Sequence, residues 1–189
     1  MGGYIIRAAT EQDLGEITRI YGQYVLHSCS TFELEPPPLE EMARRRTDVV
    51  RLGLPYLAAE VDGKVVGFAY ASAYRPRGAY RYTVEDSIYV EAGHLGQGLG
   101  RALLASVIAH CEKGNWRQMI AVIGDSGNAA SIGLHRRLGF RPVGTLTAVG
   151  FKFGRWIDSV LMQRELHPES QLTTTNQDVH ANKWGEGER

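Results

Sequence analysis

The sequence predicts an α/β domain in which helices pack on the faces of a mixed β-sheet. Short runs rich in β-branched and aromatic residues indicate about seven strands. Segments with apolar residues at helical spacing indicate about four helices. The elements follow in the order β-α-α-β-β-β-α-β-α-β-β, and helices that interrupt a series of strands are typical of a sheet covered on its faces.

Three local signals divide the first half of the chain. Thr10 is followed three residues later by Asp13, as at the capped start of a helix, and Pro36-Pro37-Pro38 ends one helix and introduces the next. Asp62-Gly63 is a strong two-residue hairpin turn. These signals predict strands at 4–7, 56–61 and 64–74 and helices at about 10–27 and 39–51.

The second half continues with an amphipathic helix over Leu99–Cys111 and a further helix over 128–138, which Gly139 ends in a left-handed cap. Strands are predicted at 82–91, 118–123, 141–151 and 155–164. The chain becomes polar after His167. We therefore predict one domain over 1–166 and a polar tail over 167–189.

Composition excludes several classes of partner. The 21 basic residues balance the 21 acidic ones, so neither a nucleic-acid surface nor a polybasic membrane surface is expected. No apolar run is long enough to span a membrane. The two cysteines make no disulfide framework, which favours the cytoplasm. The six histidines lack ligand spacing, so no metal is expected.

A glycine-rich turn between a predicted strand and a predicted helix is the most informative segment. It reads Gly96-Gln97-Gly98-Leu99-Gly100-Arg101. Closely spaced glycines allow a ligand to approach the backbone, and free N–H groups at a helix start attract anions such as a pyrophosphate. The spacing fits neither the dinucleotide-binding fingerprint nor the P-loop. A plain turn without a ligand is the alternative.

The turn and its surroundings resemble the GNAT family of acetyltransferases. The resemblance rests on residues 84–101, Asn128 and Leu138-Gly139-Phe140, although Leu95 stands where the family signature Gln/Arg-x-x-Gly-x-Gly/Ala has Gln or Arg. Residues 82–90, 127–140 and 150–158 are similar to the phosphinothricin and methionine sulfoximine acetyltransferases within that family.

This resemblance implies a mostly antiparallel sheet, acetyl-CoA as co-substrate and a homodimer. It also implies acetylation of the α-amino group of a small amino-acid-like acid, of the phosphinothricin, methionine sulfoximine or sulfone, or arsinothricin type. By resemblance, the residues that bind the cofactor are Ile88, Tyr89, Val90, Leu95, Gly96, Gln97, Gly98, Leu99, Gly100, Arg101 and Asn128.

Two titratable residues are predicted to be catalytic. Glu85 lies within an apolar strand, where lost solvation raises the pKa of a carboxyl group, and the resemblance places the general base there. A strand glutamate paired with an arginine is the alternative. His135 stands where many relatives have a tyrosine that protonates the CoA thiolate. Its ring could instead hold a water, fix the substrate, or be a satisfied core histidine.

Four residues are predicted to bind the acceptor. Arg75 and Arg77 flank Pro76 after a strand, where the resemblance places the substrate clamp, and guanidinium groups match carboxylates and phosphinates. Two solvated loop arginines are the alternative. Tyr80 and Phe32 are expected to form pocket walls. Other acceptors, such as a peptide N-terminus, stay open, whereas the arginines disfavour a polyamine. A CoA-sensing module without turnover is the alternative from a different class.

Overall fold

The computed structural model describes residues 3–167 of the chain. Within them, seven strands and four helices follow in the predicted order. The strands are β1 (Tyr4–Ala8), β2 (Tyr56–Val61), β3 (Lys64–Ala73), β4 (Thr83–Val90), β5 (Gln118–Gly124), β6 (Arg141–Lys152) and β7 (Arg155–Glu165). The helices are α1 (Leu14–His27), α2 (Leu39–Arg51), α3 (Leu99–Cys111) and α4 (Ala129–Arg137). All but residue 167 of the predicted polar tail lies outside the described residues.

The strands form one sheet of order β1-β2-β3-β4-β5-β7-β6. Only β4 and β5 are parallel; the remaining neighbours are antiparallel, which confirms a mixed, mostly antiparallel sheet. The parallel pairing extends from Thr83 to Asp86 on β4, whereas β4 itself continues to Val90. A gap therefore opens between β4 and β5 from Ser87 onward.

The two faces of β4 pack against different helices. The ring of Tyr89 faces α1 and lies 5.0 Å from the ring of Tyr21. The side chain of Val90 faces the opposite way, beside Gly100 of α3. Because successive side chains alternate across a strand, Glu85 shares the α1 face with Tyr89, and Asp86 shares the α3 face with Val90.

Turn residues adopt the conformations that their sequence predicts. Asp62 and Gly63 have φ angles of 49° and 76°, as a tight hairpin between β2 and β3 requires. Gly139 has a φ angle of 84° directly after α4, which confirms its place in a left-handed cap. None of the helices within residues 3–167 is long and apolar enough to cross a membrane.

Candidate active site

The gap beside β4 exposes backbone groups that a continuous ladder would have satisfied. The N–H of Glu91 donates to the carbonyl of Val66 on β3 at 2.8 Å. Because backbone groups alternate along a strand, those of Ile88 and Val90 point away from β3, toward the gap. At Val90, the hydroxyl of Tyr24 accepts from the N–H at 3.2 Å and donates to the carbonyl at 2.7 Å. Ile88 lies beyond the last β4–β5 pair.

Tyr89 does not fit its predicted role as a cofactor contact. It pairs with Phe68, so its backbone groups face β3 rather than the gap. Its side chain is buried in an aromatic cluster with Tyr21 and Tyr24 of α1. The resemblance marks the segment 88–90, but strand alternation leaves only its two outer residues turned toward the gap.

The glycine turn lies at the start of α3, next to the gap. Gly96 and Gly98 have φ angles of 76° and 87°, which L side chains rarely adopt. Within residues 3–167, the N–H groups of 96–101 donate to no backbone carbonyl, and no side chain caps the helix. These free donors fit the binding of a diphosphate at a helix start.

The side chains of this turn differ in their exposure to solvent. Leu95, Gln97 and Arg101 are exposed, so each can approach a ligand, whereas Leu99 is buried in the core. A Cβ atom at Gly100 would make an ordinary van der Waals contact, 3.6 Å from Leu134 of α4, so packing does not itself require a glycine there. Only the backbone of 99 and 100 is therefore available for the predicted cofactor contacts.

Glu85 is a half-buried carboxylate at the root of the gap, two residues before the strands part. Its side chain has no hydrogen-bond partner in the part of the chain that the structure describes. Burial raises the pKa of Glu85 to about 7, the charge of Asp86 adds to that rise, and Arg75 opposes it. A carboxylate with such a pKa can accept and release a proton near neutral pH.

His135 lies on the other face of β4, 4% exposed, in a pair with Asp86. Its Nε2 is 2.9 Å from Asp86 Oδ2, and its Nδ1 is 2.8 Å from the carbonyl oxygen of Ser131. Burial alone would lower the pKa of His135, but its hydrogen bond to Asp86 raises it above the usual value. Because both ring nitrogens are engaged, the geometry does not favour proton donation to a thiolate. Asp86, the buried partner of His135, was not predicted from the sequence.

The predicted acceptor-binding arginines differ in their surroundings. Ser72 of β3 is paired with Glu85, and Arg75 follows three residues later. The guanidinium of Arg75 lies 5.1 Å from the ring of Tyr74 and 5.9 Å from that of Tyr80, so Arg75 and Tyr80 come together beside Glu85. Arg77 is exposed at the start of the short turn Gly78–Tyr80 and is free to reach a ligand.

Phe32 lies across the gap, on the loop between α1 and α2. Its ring rests on the backbone of β6, where a Cβ atom at Gly150 would overlap it. It is 40% exposed, as a pocket wall should be. Asn128 caps α4, because its Oδ1 accepts from the N–H of Ser131 at 3.2 Å. Its contact with a cofactor stays a prediction.

The segment 150–158 fastens two loops to the β6–β7 hairpin. Arg155 pairs with Asp125, and the Asp158 carboxylate accepts from Ser126 at 2.6 Å, which holds the loop before α4. Lys152 reaches the loop that carries Phe32. The sequence indicates this segment only by its resemblance, because the usual strand pattern would turn Phe151 and Phe153 inward and Lys152 outward, the reverse of what the structure shows.

Two surface cavities lie elsewhere and do not include Glu85. One, of about 580 Å³, lies between the beginnings of α1 and α2, and the other, of about 720 Å³, lies beside β1 and the β2–β3 turn. Among residues 3–167, no group of three or more His, Cys, Asp or Glu side chains is placed to hold a metal ion.

Comparison with known proteins shows the family and the fold. The family model for the acetyltransferase (GNAT) domain matches residues 6–161. The chain is 55% identical over 162 residues to a phosphinothricin N-acetyltransferase of Alcaligenes faecalis, covering 86% of this chain and 82% of the relative. It is 39% identical over 161 residues to an L-methionine sulfoximine/L-methionine sulfone acetyltransferase of Salmonella typhimurium, covering 85% and 94%.

A solved structure has the same fold. The GNAT superfamily phosphinothricin acetyltransferase of Sinorhizobium meliloti, crystallised in complex with AcCoA, superposes with a TM-score of 0.83 at 46% identity. The match covers 86% of this chain and 88% of the other.

Proposed function

Because the chain belongs to the GNAT family of acetyltransferases, we propose that it transfers an acetyl group from acetyl-CoA to the α-amino group of a small amino-acid-like acid. The acceptor belongs to the phosphinothricin, methionine sulfoximine or sulfone, or arsinothricin type. The observation that carries this proposal is the place of Glu85, whose raised pKa and free carboxylate lie where the β4–β5 gap begins.

Glu85 is the general base of the proposed reaction. An α-amino group has a pKa of about 8, so most of it is protonated at neutral pH. The Glu85 carboxylate takes one proton from that group, directly or through a water. The neutral nitrogen then forms the amide bond as the thioester C–S bond breaks, and the second proton of that nitrogen passes through a water to the departing sulfur. We assign that last transfer to water because both nitrogens of His135 are engaged.

The acceptor's acid groups are held by Arg75 and Arg77 in this proposal. Arg75 is exposed and stacked beside Tyr80, so its guanidinium fork stays available for a carboxylate or a phosphinate. The loop that carries both arginines continues from β3 beside Glu85, which would place the α-amino group near the base. Phe32 forms the opposite wall.

The cofactor site fits acetyl-CoA, which supplies the activated acetyl group. The free N–H groups of residues 96–101 suit its diphosphate, and Arg101 can add a positive charge where Leu95 departs from the family signature. The backbone of Ile88 suits the amides of the pantetheine arm. Asn128, at the start of α4, is the further residue that we propose to contact the cofactor.

An acetylation screen tests this proposal. Purified protein and acetyl-CoA are incubated with phosphinothricin, methionine sulfoximine, methionine sulfone, arsinothricin, a peptide panel and a polyamine, and release of free CoA thiol is measured. The proposal expects turnover with one or more of the four amino-acid analogues and little with the others. Turnover of peptides alone would mean that the acceptor is a peptide and not an amino-acid analogue. Calorimetric binding of acetyl-CoA without any turnover would indicate a sensing module.

We further propose that the protein is a homodimer in the cytoplasm. β6 is an edge strand whose side chains are largely exposed, and the hairpin presents apolar residues that are 49–66% exposed. These residues are Val143, Leu146, Val149, Phe151, Phe153 and Trp156. Exposed apolar edges favour association. Light scattering should give twice the chain mass for the wild type and the chain mass for Val149→Asp.

The cytoplasmic location is proposed from the two cysteines. Both are free in the structure, which favours a reducing compartment.

A further inference from the structure

Lys152 is a buried cation that the proposed chemistry does not use. It ends β6 and is 3% exposed. Its Nζ donates to the carbonyl oxygen of Ser28 at 2.8 Å and to that of Thr31 at 2.9 Å. Among residues 3–167, no carboxylate forms an ion pair with it. Burial of a charge is costly unless other contacts compensate, and here the two carbonyls do so together with the ring of Phe153, whose centroid lies 5.1 Å from Nζ.

Both carbonyls belong to one short loop, between α1 and α2, that lies directly on the sheet. A Cβ atom at Gly124 of β5 would overlap the carbonyl of Cys29. A Cβ atom at Gly150 of β6 would overlap the ring of Phe32. The loop therefore rests on two strands at positions where only glycine leaves room. Lys152 binds the carbonyls of Ser28 and Thr31, which stand on either side of Cys29 in the sequence.

We propose that Lys152 is a positioning residue: its buried ammonium clamps the 28–32 loop to β6 and so fixes Phe32 as a wall of the acceptor pocket. This inference rests on the proposed function for the acceptor, because it deepens the account of that same site.

Loss of the Lys152 contacts should weaken binding of the acceptor and leave binding of acetyl-CoA unchanged. The loop continues from α1, which packs on the face of the sheet that carries Glu85. The glycine turn that suits the diphosphate begins α3 on the opposite face. Release of the loop therefore moves Phe32 while the N–H donors of the glycine turn keep their places. Asn128 does touch the loop, because its Nδ2 donates to Ser30 Oγ at 3.5 Å, but its capping hydrogen bond holds it to α4.

Lys152→Met tests the inference, since it removes the ammonium and keeps an unbranched apolar chain. Loss of hydrogen bonds to a charged group predicts a rise of about tenfold in the KM for methionine sulfone, with the KM for acetyl-CoA and kcat within about twofold of wild type. Lys64→Met is the matched control, because Lys64 is exposed at the start of β3, and it should change none of the three.

A double-mutant cycle with Phe32→Ala separates positioning from a merely structural role. If Lys152 acts through Phe32, the second substitution adds little to the acceptor KM of the first. Fully additive effects, an unchanged acceptor KM, or an equal rise in the KM for acetyl-CoA would each overturn the inference. Should Lys152→Met fail to fold, Lys152→Gln keeps one donor group and should give a smaller rise in the same constant alone.

Hydrogen exchange of the 28–32 amides measures the clamp without turnover. Exchange there should increase in Lys152→Met and stay unchanged in Lys64→Met; equal exchange in wild type and Lys152→Met overturns the clamp. Wild-type protein that acetylates none of the acceptors would instead refute the proposed function. The two failures are therefore distinguishable.

Discussion

Two neighbouring carboxylates on β4 have opposite surroundings. Glu85 points to the face that carries α1, is half buried and has no hydrogen-bond partner among the described residues. Asp86 points to the face that carries α3 and α4, is 7% exposed and lies 2.9 Å from His135. The strand is the same, and only the alternation of side chains separates them.

The difference shows how a fold assigns a reactive and a stabilising role to similar groups. Lost solvation without a partner leaves the Glu85 carboxylate ready to take a proton, and its pKa rises to about 7. A partner within hydrogen-bond distance makes Asp86 part of the core. Glu85 should therefore govern turnover, and Asp86 should govern folding.

The largest expected effect is on turnover. Glu85→Gln keeps the shape of the side chain and removes the proton acceptor, so kcat should fall by roughly 10²- to 10⁴-fold. Calorimetry should show unchanged binding of acetyl-CoA, because the glycine turn is untouched. Glu40→Gln, at an exposed position on α2, is the control and should keep wild-type turnover. If Glu85→Gln kept the wild-type kcat, Glu85 would not be the general base.

The second effect is on folding. Asp86→Ala leaves the buried His135 without its partner, so the free energy of unfolding should fall by about 3 kcal/mol in urea denaturation. A double variant, Asp86→Leu with His135→Leu, removes both polar groups and should recover much of that loss. If Asp86→Ala is as stable as wild type, the pair does not hold α4 to the sheet.

The pair also predicts a pH dependence. The pKa of His135 is raised in the folded state, despite burial, by its hydrogen bond to Asp86. Its contribution to stability is therefore complete below the unfolded pKa of about 6.5 and is lost as pH rises through the folded value. The denaturation midpoint of wild type should fall over that range, and the double leucine variant should lack this component of the decline.

Ionisation of Glu85 should cause a smaller loss of stability, in the same direction with pH. Its folded pKa of about 7 lies above the ordinary glutamate value of about 4.5, so ionisation costs stability as pH rises between these values. Glu85→Gln should then be more stable than wild type above neutral pH, by on the order of 1 kcal/mol, while being less active. Lower stability of Glu85→Gln at that pH would mean that the ionised carboxylate is well solvated.

The smallest effect concerns Arg75, which lowers the pKa of Glu85. Arg75→Gln removes that positive charge, so the ascending limb of the pH–rate profile should move to higher pH by a fraction of a unit. Arg75→Lys retains the charge and should keep the limb in place, although both variants weaken acceptor binding. An ascending limb at the wild-type pH in Arg75→Gln would mean that Arg75 does not affect the pKa of Glu85.

Much of the fold follows from local sequence signals, and much of the site does not. Asp62-Gly63 and Gly139 predict their turns because each position requires a positive φ angle. Glu85 is identifiable because a carboxylate in an apolar strand is unusual. The partner of His135 depends on which face α4 covers, which is a long-range contact. Lys152 is hidden because its two Phe neighbours are exposed and the lysine is buried, the reverse of the usual strand pattern.

The dependence of kcat/KM on pH tests the central role of Glu85 most directly. In wild type it should rise with increasing pH through an apparent pKa near 7, and Glu85→Gln should retain only a slow rate without that limb. A limb of the same midpoint in Glu85→Gln, or a wild-type rate that is already maximal well below pH 7, would contradict the account.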